Sequence, residues 1–213
     1  MVSTTNLIVG LTGGMGCGKS TAAGMFADRG FRRLDADQMV REELLPDPAV
    51  ARAIGEKLGP AMLTADGRVR RDRVAEIVFR DPASLAWLEE LLHPRVLARW
   101  REIFAGSRDT AFIVEVPLLF EKGLENWFDF TVCVTTDSAL QLRRLEQRGI
   151  PPELAHQRLT KQLPLARKCE LADHVLLNDG STDFLREQVN ALADRLLKSQ
   201  SDRSNGQIHG SPR

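Results

Sequence analysis

The sequence predicts an α/β fold, a parallel sheet covered by helices on both faces. Short apolar runs alternate with longer segments of helical period, the pattern of repeated strand–helix units. A glycine-rich loop joins the first such run directly to a helix. Between about Pro46 and Gly106 the alternation gives way to helices alone, which marks an inserted helical region beside the sheet.

Leu7–Leu11 (LIVGL) opens the sheet, and Lys19–Asp28 is the first helix, closed by Gly30 at its C′ position. Phe31–Leu34 is the second strand, and a helix follows near Gln38–Leu45. The inserted region reads as helices Ala49–Leu58, Arg73–Arg80, Pro82–Leu92 and Arg95–Phe104. Asp81 with Pro82 gives an N-cap and a proline at N1, and Pro94 is expected to separate the last two helices. The stripe Trp87, Leu88, Leu91 and Leu92 is ordinary helix packing. Strands Ala111–Val116, Thr131–Thr135 and His174–Leu177 complete the sheet, with helices Ser138–Arg148 and Phe184–Lys198 after the last two. Pro151–Ala172, basic and broken by proline, suits a mobile lid. The expected organisation is a core of residues 1–45, 107–150 and 173–198, a helical substrate domain 46–106 and a lid 151–172. The polar segment 199–213 is expected to be a disordered tail.

Composition narrows the function. The chain has 213 residues, 43% of them hydrophobic, enough for one well-packed core with small appendages. Lys plus Arg (29) equals Asp plus Glu (29), which argues against a nucleic-acid binder or a polybasic membrane protein. The three cysteines form no CxxC pair, and the four histidines have no metal-ligand spacing. No apolar run approaches the roughly 20 residues of a membrane span. The N-terminal stretch lacks the basic region of a secretion signal. A cytoplasmic protein is expected, a monomer or weak homo-oligomer acting on small molecules, with no nucleic-acid or membrane partner.

Gly13-Gly14-Met15-Gly16-Cys17-Gly18-Lys19-Ser20 fits G-x-x-x-x-G-K-[ST] in full, after a strand and at the head of a helix. Glycines let successive backbone N–H groups point into one concavity, and the helix N-terminus adds partial positive charge. A nucleoside triphosphate and Mg²⁺ are the expected ligands: Lys19 at the β- and γ-phosphates, Ser20 on the metal, Thr21 at the α-phosphate. No N-K-x-D for guanine occurs, and no four-residue apolar run leads straight into aspartate. The small size, helical insertion and lid point to a P-loop small-molecule kinase, because phosphoryl transfer must exclude water.

Asp35-Ala36-Asp37 stands at the carboxyl end of the second strand, the ligand edge of such a sheet. A kinase acting on a hydroxyl needs a carboxylate there to orient the nucleophile and accept its proton. Capping the next helix is the alternative role for Asp37, and the two are compatible. Arg144 and Arg148 share one helix face, and either suits charge stabilisation at the transferring phosphoryl group.

Together these residues resemble the dephospho-CoA kinase family. The resemblance rests on Leu11–Thr21, Asp35–Asp37, the D-G-x-V-x-R segment with its helix (Asp66–Phe79), His93-Pro94 and P-L-L-F-E (Pro117–Glu121). R-L-x-x-R (Arg144–Arg148), Gln162, Ala172-Asp173 and Asn178 follow in the same order. It implies phosphorylation of the ribose 3′-hydroxyl of dephospho-CoA by ATP, the last step of coenzyme A synthesis. It also implies Asp37 as base, Arg144 as a phosphate contact and Asn178 near the adenine. Asp35, Arg71, His93, Leu118 and Glu121 fall where the family borders its acceptor. Two departures stand out: Cys17 replaces a serine, and Glu115 stands where the family often has aspartate. A kinase for a nucleoside or sugar acid, and a module that binds ATP without transferring it, are the competing readings.

Overall fold

In a computed structural model of the chain, which describes residues 6–204, β1 (Leu7–Gly13) is the middle strand of a five-stranded sheet. The glycine loop leads from it into α1 (Lys19–Asp28), which Gly30 closes with φ 91°. β2 (Arg32–Asp35) runs directly into α2 (Ala36–Met39), which continues as one π-helical turn over Val40–Leu44. Next come α3 (Pro48–Leu58), α4 (Arg71–Arg80) and α5 (Pro82–Ala105). The chain returns through β3 (Ala111–Glu115), β4 (Phe130–Thr135), α6 (Ser138–Gln147), α7 (Pro152–Leu159) and α8 (Leu165–Leu171). It ends in β5 (His174–Leu177) and α9 (Thr182–Ser204).

The strand order is β2-β3-β1-β4-β5, and β1 pairs in parallel with both β3 and β4. β4 pairs in parallel with β5. β3 ends at Glu115 opposite Leu11, and β1 runs two residues further to Gly13, which lies opposite Val134 near the end of β4. Chain direction across the sheet reverses at β1, and in such sheets the carboxyl ends at the reversal flank the ligand crevice. Period-two alternation assigns the faces. Leu7, Val9, Leu11, Val132 and Val134 join Ala22, Phe26, Val189 and Ala193 of α1 and α9 in one buried cluster. Cys133, between the two valines, meets Cys169 of α8 on the opposite face.

The chain forms two compact units. One comprises the chain through Leu34 and from Ser107 onward; the other is Asp35–Gly106. The second therefore begins at the acidic tripeptide, earlier than the expected boundary at Pro46. Its own core packs Val50, Ile54, Met62, Val74 and Val78 against the Leu85–Leu92 face of α5.

Three local expectations are corrected. Pro94 does not divide the helix that contains it; α5 runs through. An internal proline costs about 3 kcal/mol. Burial on both sides offsets it, with Leu88, Leu91 and Leu92 in the second core and Val96, Trp100 and Phe104 buried further on. The helix after β2 starts at Ala36, and its cap is Asp35, whose Oδ1 accepts from the Gln38 N–H at 2.9 Å; Asp37 is not the cap. Finally, α9 continues to Ser204 through the start of the predicted tail. Extending an existing helix adds one hydrogen bond per residue fixed, and the Ser199 and Ser201 hydroxyls bond back to the carbonyls of Leu196 and Leu197. The remainder of that segment lies outside the described residues.

Candidate functional site

The loop between β1 and α1 is shaped by two close approaches. Gly13 has φ 142°, and a Cβ there would lie 2.2 Å from the Val134 carbonyl oxygen. Gly18, the residue before α1, has φ 93°, and its Cβ would meet Asn178 Nδ2 at 2.2 Å. Neither position accommodates a side chain. Gly14, Gly16 and Cys17 complete the turn, and the Cys17 N–H donates to the Gly14 carbonyl at 3.3 Å. Burial pushes the Cys17 thiol above its ordinary pKa, against the opposing pull of Lys19. It is a packed thiol, not an activated one.

Lys19 folds over the loop, its Nζ donating to the carbonyls of Gly14 (3.0 Å) and Gly13 (3.1 Å). Ser20 and Thr21 occupy the exposed first turn of α1. The Ser20 hydroxyl donates to Glu115 Oε2 at 2.9 Å, and Arg33 Nε donates to Glu115 Oε1 at 2.6 Å. Glu115 is only 3% exposed. A hydroxyl whose proton is held by a buried carboxylate presents its oxygen lone pairs outward, the kind of hard oxygen donor that a divalent cation such as Mg²⁺ takes.

The loop is braced from behind by β5 and α6. Asn178 Nδ2 donates to the Cys17 carbonyl at 2.9 Å. The Asn178 carbonyl accepts from Arg144 Nη2 and from the Thr136 hydroxyl, each at 3.0 Å. Gln141 Nε2 donates to the Met15 carbonyl at 2.6 Å. Arg144 is thus tied to the loop through Asn178, whose amide donor reaches loop backbone. Leu118 and Glu121 follow β3 in the same unit. Glu121 Oε1 accepts from the Leu163 N–H and pairs with the fully buried Lys168 Nζ, each at 2.8 Å. Lys168 also donates to the Pro117 carbonyl at 2.7 Å, which anchors α8 to the end of β3.

In the second unit, Asp37 and Arg71 line one cavity of about 620 Å³. Its wall is mostly apolar, with Val40, Val74, Val78, Leu88 and Leu92, and Arg41 stands at its side. A smaller hollow of about 200 Å³ shares Arg41 and Arg71 and adds Arg68. Asp35 is spent on the helix cap, and His93 lies within α5, its Nε2 buried without a hydrogen-bond partner among the described residues. Neither residue is in the wall of the larger cavity.

Strand order, loop and braced lysine together define a P-loop kinase fold. A family model for dephospho-CoA kinase matches residues 7–183. A dephospho-CoA kinase of Synechococcus elongatus is 36% identical over 196 residues, covering 91% of this chain and 94% of the relative. The solved dephospho-CoA kinase of Campylobacter jejuni superposes with a TM-score of 0.69 at 26% identity, over 92% of this chain and 98% of that one. A solved Thermus thermophilus protein gives 0.77 at 32% identity, over 90% and 98%. The chain belongs to the dephospho-CoA kinase family.

Sequence reasoning omitted Arg33, Gln141 and Lys168 from the site, and named Glu115 without a partner. Glu115 carried a signal, a carboxylate closing an otherwise apolar strand. Arg33 sits in a pair of arginines on an edge strand, and nothing local distinguishes it from a solvated charge.

Proposed function

We propose that the protein transfers the γ-phosphoryl group of ATP to the ribose 3′-hydroxyl of dephospho-CoA, giving coenzyme A and ADP in the cytoplasm. The match to the family across residues 7–183 carries the choice of acceptor. The loop supports the choice of donor. Its backbone N–H groups, with the N-terminus of α1, form a concavity for polyphosphate. Lys19, now on the loop carbonyls, turns to the β- and γ-phosphates, and Arg144 adds charge beside it. Ser20 would hold Mg²⁺ through its hydroxyl oxygen, with Glu115 accepting the hydroxyl's hydrogen bond behind it. The metal, when bound, neutralises charge developing on the phosphoryl oxygens.

Asp37 takes the acceptor's 3′-hydroxyl proton as the oxygen attacks phosphorus and the bond to the β-phosphate oxygen of ADP breaks. The cavity that Asp37 lines has the chemistry of the acceptor. Its apolar wall suits the adenine and the pantetheine arm, and Arg41 and Arg71 suit the diphosphate between them. The segment Pro151–Ala172 acts as a lid that excludes water during transfer.

ADP release measured with dephospho-CoA, adenosine and a sugar acid as acceptors tests the reading. Dephospho-CoA is expected to have by far the highest kcat/KM. A sugar acid outperforming it, or no ADP with any acceptor, refutes it.

A further inference from the structure

We propose that Arg33 is a positioning residue for the metal, acting through Glu115 on Ser20. The inference rests on the nucleotide–metal reading of the loop given above. Glu115 closes β3 with its carboxylate almost wholly out of water. A carboxylate so placed needs both charge compensation and filled lone pairs, and its two oxygens are divided between two donors. Oε1 takes Arg33, with Nε and Nη2 each at 2.6 Å, and Oε2 takes the Ser20 hydroxyl at 2.9 Å.

The division has a directional consequence. A hydroxyl has one proton and two lone pairs. With its proton committed to Oε2, the Ser20 oxygen keeps its lone pairs turned away from Glu115, free for a cation. Two guanidinium N–H groups converging on Oε1 hold that oxygen in place and leave Oε2 to face Ser20. Without them the carboxylate rotates, and Ser20 loses its fixed polarity. Arg33 itself lies on the edge strand β2 with its side chain 38% exposed, so replacing it leaves no large gap in the core.

The test compares wild type, Arg33→Ala and Arg33→Lys by calorimetric titration with ATP, once in excess Mg²⁺ and once in EDTA. Loss of a partner hydrogen-bonded to a metal ligand typically weakens metal affinity about 10–100-fold, and Arg33 acts on that partner, so the lower end of the range applies. Arg33→Ala is therefore expected to lose about tenfold of the Mg²⁺-dependent gain in ATP affinity, with affinity in EDTA unchanged. Arg33→Lys, which restores charge without the two converging N–H groups, recovers part of the gain. The midpoint for Mg²⁺ activation rises in the same order. Equal losses in Mg²⁺ and in EDTA, or an unshifted Mg²⁺ midpoint in Arg33→Ala, overturn the proposal and leave the nucleotide reading standing. Wild type that binds ATP equally in both conditions overturns that reading, and this inference with it.

Discussion

Asn178 is the residue whose removal reports most cleanly on how the phosphate loop is held. Its amide donates to the Cys17 carbonyl, and the residue is 8% exposed, so water replaces that donor poorly. Leaving one buried acceptor without its partner costs about 1–3 kcal/mol. For a chain of this length each kcal/mol lowers Tm by roughly 2–4 °C, so Asn178→Ala is expected to lose about 2–12 °C. Gly18→Ala attacks the same contact from the other side, because its new Cβ would sit 2.2 Å from Asn178 Nδ2 in a backbone with φ 93°. Removing Asn178 relieves that clash but not the backbone strain. The double variant should therefore be less damaged than the sum of the singles, with a coupling of about 1–2 kcal/mol. Calorimetric or denaturant unfolding of all four proteins completes the cycle. Additive losses, or an Asn178→Ala protein that melts with wild type, refute the idea that this amide braces the loop.

Lys19→Ala should remove about 2–4 kcal/mol of transition-state stabilisation, a drop of roughly 30–1,000-fold in kcat/KM under steady-state assay. Because burial raises the Cys17 pKa, its thiol is protonated at neutral pH. Its alkylation by iodoacetamide, followed by peptide mass spectrometry, should be slow at pH 7 and accelerate only above the ordinary thiol range. Pro94→Ala restores a backbone donor on the exposed side of a continuous helix. It should raise stability by about 1–3 kcal/mol in chemical unfolding, and a loss instead would show that the ring itself is needed there.

Features governed by local rules were legible in the sequence. The loop, its helix, the cap at Asp81 and the glycine after α1 follow from backbone conformation and hydrogen-bond needs that neighbouring residues already display. Apolar runs identified β1, β3 and β4, because strands buried on both faces leave an unbroken hydrophobic signature, whereas the edge strand β2 carries two exposed arginines. Pro94 misled because local propensity names the cost of a proline but not the burial at Trp100 and Phe104 that offsets it. The site's brace was hidden for a different reason. Arg33, Gln141 and Asn178 act through carbonyls and carboxylates far from them in sequence, between 82 and 161 positions away. Such pairings exist only once the sheet brings the strand ends together.

The claim that Asp37 performs the proton transfer is open to one direct experiment. Radiolabel is followed from the γ-position of ATP into the acceptor in a single turnover, with wild type and Asp37→Asn both saturated with ATP and dephospho-CoA. Wild type should place the label on the 3′-oxygen of coenzyme A, and Asp37→Asn should do so about 10²–10⁴-fold more slowly while binding ATP equally well. Transfer by Asp37→Asn at the wild-type rate would contradict the account.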